Sequence, residues 1–146
     1  MRSNRISFLL ISAIFLNIGS LYGNYAFKKK VKDVCKSYRI PMESSQLTLD
    51  DDEVLLNMES GRNNFEMFML VGFASAGQAI SHQKQMGLSN AYTPGIVRVT
   101  VDVPVSKGEF NTFVATCNAD MAISLADGRM DSSEFMQEIM KNMEIL

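Results

Sequence analysis

Between Pro94-Gly95 and Lys107, valine takes every second position: Val97, Val99, Val101, Val103 and Val105 alternate with Arg98, Thr100, Asp102 and Pro104. Successive side chains of an extended chain point to opposite faces, so this run is the period-two signature of a strand with one buried and one wet face. A lone strand of this kind is not stable. It needs a neighbour for its backbone hydrogen bonds and a second layer to cover its valines. Pro104 has no amide proton to donate, which puts it at an edge or a strand end.

The next segment supplies the neighbour. After Ser106-Lys-Gly-Glu109, the apolar residues Phe113, Ala115, Cys117, Ala119, Met121, Ile123 and Leu125 alternate with Thr112, Thr116, Asn118, Asp120 and Ser124. The expectation is an antiparallel hairpin pairing Val97–Val105 with Phe113–Leu125. A helix competes over 107–126, because Ser106 and Glu109 have capping-box spacing and Phe110, Phe113, Val114, Cys117, Met121 and Leu125 also recur at helical steps. The strand is preferred because the valine run has no other clear partner.

Residues 64–85 predict the covering layer, a long core helix. Phe65, Phe68, Met69, Gly72, Phe73, Ala76, Ala79 and Ile80 recur at steps of three and four, and Met67, Leu70 and Val71 widen the stripe. So wide a stripe implies burial on more than one side. Gly72, Ala74, Ser75, Ala76 and Gly77 carry little side-chain bulk, so a sheet or a second helix can approach closely, or a groove can open there. Upstream, Thr48-Leu-Asp-Asp-Asp-Glu53 reads as a helix start with Thr48 or Asp50 as cap, opening a short helix Glu53–Met58 that stops at Gly61. Downstream, Asp127-Gly128 reads as a turn. A C-terminal helix follows, with Asp131 and Glu134 at cap spacing and Phe135, Met136, Ile139, Met140 and Met143 along one face.

The N-terminal end reads differently. Residues 6–27 contain no charged side chain, and as a helix they would span about 33 Å, against a hydrocarbon core of roughly 30 Å. Residues 1–27 are therefore expected to form a transmembrane signal-anchor. A cleaved signal ending near Leu21-Tyr22-Gly23 is the alternative. Tyr22, Tyr25 and Phe27 fall where aromatic residues favour the membrane boundary, and Lys28, Lys29, Lys30 and Lys32 follow at headgroup depth, so lipid contact is expected through residues 6–32. Val31, Cys35 and Tyr38 make one apolar stripe on a basic juxtamembrane helix over 28–41, ended by Pro41. Residues 42–146 form the remaining small acidic α+β domain.

Charge is split along the chain. Residues 1–41 hold eight Lys and Arg against one acid, and residues 42–146 hold six against fifteen. A body of that sign repels phosphate backbones, so nucleic acid is excluded as a partner. The positive-inside rule taken alone keeps the acidic domain in the cytoplasm. The signal-like start and an even pair of cysteines point instead to an extracytoplasmic domain, which is the reading preferred. A disulfide between Cys35 and Cys117 would close a loop of about 80 residues, a constraint of roughly 4–5 kcal/mol.

Chemistry-bearing motifs are sparse. His82 is the only histidine, and its Ser-His-Gln-Lys context reads as a helix surface. No Cys-x-x-Cys, phosphate loop or nucleophile elbow occurs in the sequence. Residues 127–135, Asp-Gly-Arg-Met-Asp-Ser-Ser-Glu-Phe, resemble the second half of an EF-hand calcium loop, which would make Asp127, Asp131 and Glu134 the ligands. Ile123 and Leu125 stand where the first two oxygen ligands belong, and an Asp-Gly turn before a capped helix accounts for the same residues. The expectation is no metal, no cofactor and no catalytic set. What remains is a membrane-tethered, non-catalytic binding or scaffolding module with a protein partner, a small enzyme or a calcium or ligand sensor being the alternatives.

Overall fold

A computed structural model describes residues 22–146, which form an α+β fold of helices laid on one face of a five-stranded sheet. Helix α1 covers 22–37, and a 3-10 turn, Ser44–Gln46, leads into β1 (Leu47–Leu49) and β2 (Glu53–Glu59). Helix α2 (Phe65–Met86) crosses to β3 (Ile96–Ser106), which turns into β4 (Glu109–Asn118). Helices α3 (Ala119–Asp127) and α4 (Ser132–Met140) then return the chain to β5 (Glu144–Ile145). The strands lie in the order β1-β2-β3-β4-β5, and only β2 and β3 run parallel. A parallel neighbour requires a long crossover, and α2 is that crossover.

Three rows of side chains cross the middle of the sheet on its covered face. Val54, Val97 and Cys117 form one row, Leu56, Val99 and Ala115 the next, and Met58, Val101 and Phe113 the third. The expected hairpin is therefore present and its odd positions face inward as far as Val103. Val105 is exposed at the strand end, beyond Pro104, where the register shifts. The opposite face carries Asn57, Arg98, Thr100, Asp102, Thr112 and Thr116, with Arg98 Nε 2.8 Å from Glu53 Oε1 and the Thr112 hydroxyl donating to Asp102 Oδ1 at 2.6 Å.

Four expectations are corrected. Residues 53–58 are strand β2, not a helix. Val54, Leu56 and Met58 already alternate with Leu55, Asn57 and Glu59, and the parallel register with β3 rewards that period. Asp50, Asp51 and Asp52 are a turn between strands rather than a helix start, and Asp52 receives the Gly95 amide on both its carbonyl and its carboxylate, at 3.0 and 2.9 Å. The second hairpin strand stops at Asn118, seven residues short of Leu125: from Ala119 the chain is helical, because the Asn118 side chain accepts the Met121 amide at 2.8 Å and caps α3. The chain does not end in a helix either, since β5 pairs with Phe113 and Val114 and so adds an edge strand to β4.

The fourth correction concerns sulfur. Cys35 lies on α1 and Cys117 on β4; both are buried and neither is in a disulfide. They behave as small apolar groups inside the core.

Helix α2 is buried nearly all round. A β-carbon at Gly72 would lie 2.9 Å from Met58 Sδ and 3.1 Å from Val99, on the sheet side, and one at Gly77 would run into the Ala122 carbonyl of α3. The small residues thus admit a sheet and a helix at once. Phe73 meets Phe135 of α4 edge-on at 5.1 Å, and Phe65 meets Phe113 at 4.6 Å.

Helix α1 belongs to the same core. Phe27, Val31 and Cys35 are fully buried in it, so Phe27 packs against protein and not at a membrane boundary. The helix ends in a Schellman motif: the Ile40 amide donates to the Cys35 carbonyl and the Arg39 amide to that of Lys36, with Arg39 left-handed at φ 62°. Tyr38, past that end, is exposed rather than part of the buried stripe. The expected anchor over residues 1–27 falls mostly outside the described residues. Among the described residues no helix is long and apolar enough to cross a membrane.

Candidate functional site

Asp127, Asp131 and Glu134 sit at the junction of α3 and α4, and each serves the backbone or a neighbour. Helix α3 ends at Gly128, which is left-handed at φ 83°. The Asp127 carboxylate takes Arg129 Nε at 3.0 and 2.8 Å and the Arg129 amide at 3.1 Å. Asp131 caps α4 by accepting the Glu134 amide at 2.8 Å. Glu134 is exposed in the first turn, where a negative charge complements the helix dipole. Among the described residues no group of three or more His, Cys, Asp and Glu comes together as a metal centre would require. Asp131 is thus a helix cap and Asp127 an anchor for Arg129.

The hollow that the fold builds lies instead along α2. Met67, Leu70, Ala74, Gln78, Ser81 and Gln85 recur at steps of three and four, so they share the one face of α2 that neither the sheet nor a helix covers. Helix α1 and its end form one wall, and α3 forms the other. At the start of α2 the hollow holds about 340 Å³ and is lined by Tyr38, Met67, Leu70, Ala74 and Leu125. It continues past Gln78 and Ala126 into a polar part of about 180 Å³, bounded by Lys30 on α1, His82 on α2 and Asp127 on α3. From Met67 to Gln85 the groove runs for roughly 27 Å at the helical rise.

The groove changes character along its length. Apolar walls offer one end of the groove to a hydrophobic side chain, and amides, a hydroxyl and one imidazole offer hydrogen bonds at the other. Lys30 on α1 and Asp127 on α3, the latter paired to Arg129, line the polar end. The buried thiols stand outside it. Burial pushes Cys117 up to about 12 and raises Cys35, with Ser75 acting weakly in the opposite direction, and a thiol held protonated is a poor nucleophile.

Sequence reading missed the groove's walls, Tyr38 and Leu125, because they reach α2 from segments far away in the chain. The signal that pointed there was the width of the α2 stripe, which exceeds what one sheet can cover. Of the three methionines expected on the last helix face, Met136 is buried, Met143 half-buried and Met140 exposed, so they do not make a single docking face. Comparison with protein-family models, with characterised proteins and with solved structures finds no match to this chain.

Proposed function

We propose that the chain is a membrane-tethered, non-catalytic binding or scaffolding module that carries its acidic domain outside the cytoplasm. The observation that supports it is the absence of slack between the apolar run and the domain: Gly23 already accepts the Gln83 side chain and Phe27 is already core. A partner bound to such a domain is held at a fixed height above the bilayer. The outward side of α1 is basic, with Lys28 and Lys32 reaching Ser44 at 3.4 and 3.0 Å and Lys29 paired to Asp33 at 2.9 Å. These cations sit close to the point where the apolar run would leave the lipid, as the headgroup charge favours. Because Phe27 and Val31 are committed to the core, lipid contact through residues 6–32 narrows to the run before Gly23 and to outward side chains. The groove along α2 is the surface for a protein partner, fitted to a helix that presents apolar residues to Leu70 and Ala74.

The test is fractionation and topology of the full chain. Alkaline carbonate should leave it in the membrane pellet, and a phosphatase active only outside the cytoplasm, fused after Leu146, should be active. Recovery in the soluble fraction, or activity only of a reporter that works inside the cytoplasm, would overturn the reading.

A further inference from the structure

We infer that the end of the domain formed by the start of α1 and the loop after α2 rests on the lipid surface, so that the module is docked on the bilayer as well as tied to it. This deepens the membrane reading and depends on it. Three observations meet at that end.

The first is adjacency. Gln83 Nε2 donates to the Gly23 carbonyl at 3.1 Å, and Gly23 lies against the Asn90 carbonyl, so the start of α1 and the segment after α2 are side by side. The second is the chemistry exposed there. Tyr22 and Tyr25 are 57% and 64% exposed on α1, and Met86 and Leu88 are 38% and 46% exposed at the end of α2 and just past it. From Gln85 to Val97 no residue is charged, and the same holds from Ile6 to Phe27. Tyrosine with its polar tip, together with methionine and leucine, is the side-chain set that settles at a membrane interface. Lys84, and Lys29 in its pair with Asp33, are exposed next to these side chains and complement anionic headgroups.

The third observation is length. The domain claims the chain from Tyr22 onward, which leaves residues 6–21 for the membrane. Sixteen residues would, as a helix, reach about 24 Å, at or below the short end of what crosses a core of roughly 30 Å. A short span draws the folded end against the headgroups instead of holding it off. Asp50 and Asp51 lie beside Asn24 and Asn90 at this same end, so the docked contact is confined to the side chains of Tyr22, Tyr25, Met86 and Leu88.

The experiment uses the full chain reconstituted into vesicles of phosphatidylcholine and phosphatidylglycerol that contain a lipid with a shallow spin label. An environment-sensitive dye is placed at Leu88→Cys, at Met86→Cys, or, as the remote control, at Phe110→Cys. Phe110 is exposed near the start of β4, beside the far end of β3 and about 30 Å away along the strands. Cys35 and Cys117 are buried, so unsubstituted chain gives the labelling background, and circular dichroism verifies folding of each variant. The expected result is that dyes at positions 86 and 88 lose most of their emission to the spin label while the dye at 110 keeps its own. Equal emission at all three positions in chain that floats with the vesicles overturns docking and leaves the tether standing. Chain that does not float with the vesicles overturns the tether, and docking falls with it.

Discussion

Gln83 and Gly23, sixty residues apart, are joined by a buried hydrogen bond of 3.1 Å in which the glutamine amide satisfies a backbone carbonyl of α1. The same side chain accepts the Tyr92 amide at 3.1 Å on its other end. Tyr92 in turn donates its hydroxyl to the Asp50 carbonyl at 2.7 Å and receives Phe27 edge-on at 4.9 Å. One glutamine thus ties the first helix, the loop after α2 and the acidic turn into a single unit.

Replacing it should loosen all three. Gln83→Leu fills the space but leaves a buried carbonyl and a buried amide unpaired, at roughly 1–3 kcal/mol each. A loss of about 2–4 kcal/mol in urea denaturation is expected, with faster hydrogen exchange in α1. Unchanged stability would mean that water replaces both partners.

The two glycines of α2 should respond unequally to alanine. At Gly72 the obstacles are the end of the Met58 side chain and Val99, whereas at Gly77 the obstacle is backbone of α3. A side chain can turn aside and a packed helix cannot. Gly77→Ala is expected to cost about 2 kcal/mol or more despite alanine's better helix propensity, and Gly72→Ala clearly less. Melting temperatures of the two variants decide it.

Asn118 stands where strand becomes helix. Asn118→Ala removes the cap on α3 and should cost about 1 kcal/mol, whereas Asn118→Asp keeps an acceptor for the Met121 amide and should be close to neutral. Ala119 is buried one residue later, so Ala119→Asp should unfold the domain. Equal tolerance of Ala119→Asp and Asn118→Asp in thermal melts would contradict this junction.

Stability should fall at alkaline pH. Burial raises the Cys117 thiol from 9.0 to about 12. Burial also raises Cys35, and it raises the Tyr92 phenol together with the charges of Asp50, Asp52, Asp51 and Glu53. Each group keeps its proton more tightly when folded. Their contribution is therefore whole below the pH at which the unfolded groups ionise and is lost as pH rises from about 9 towards 12. At about 1.4 kcal/mol per unit, the Cys117 share is on the order of a few kcal/mol. Denaturation midpoints followed from about pH 8 to 11 should decline, and Cys117→Ala should flatten the slope. An unchanged slope in that variant would remove Cys117 from the account.

Periodicity alone determined the central parts of this protein. The valines specify strand β3 and its inward face, since a period of two leaves no other arrangement that buries them. The Phe65–Ile80 stripe specifies α2, and Asp131 specifies the start of α4, because a cap acts within one turn. Tertiary structure decided what local pattern left balanced. Residues 53–58 carry both helical acids and strand alternation, and pairing with β3, a partner more than forty positions away, selects the strand. Residues 113–125 satisfy both periods, and the chain uses each in turn: β4 while β3 is alongside, α3 once Asn118 caps the amides and Gly77 leaves room for Ala122. Free thiols in place of a disulfide, the burial of Phe27 and the groove between α1 and α3 have the same origin. Each depends on which distant segments meet, and that is set by the packing of the whole core rather than by any window of sequence.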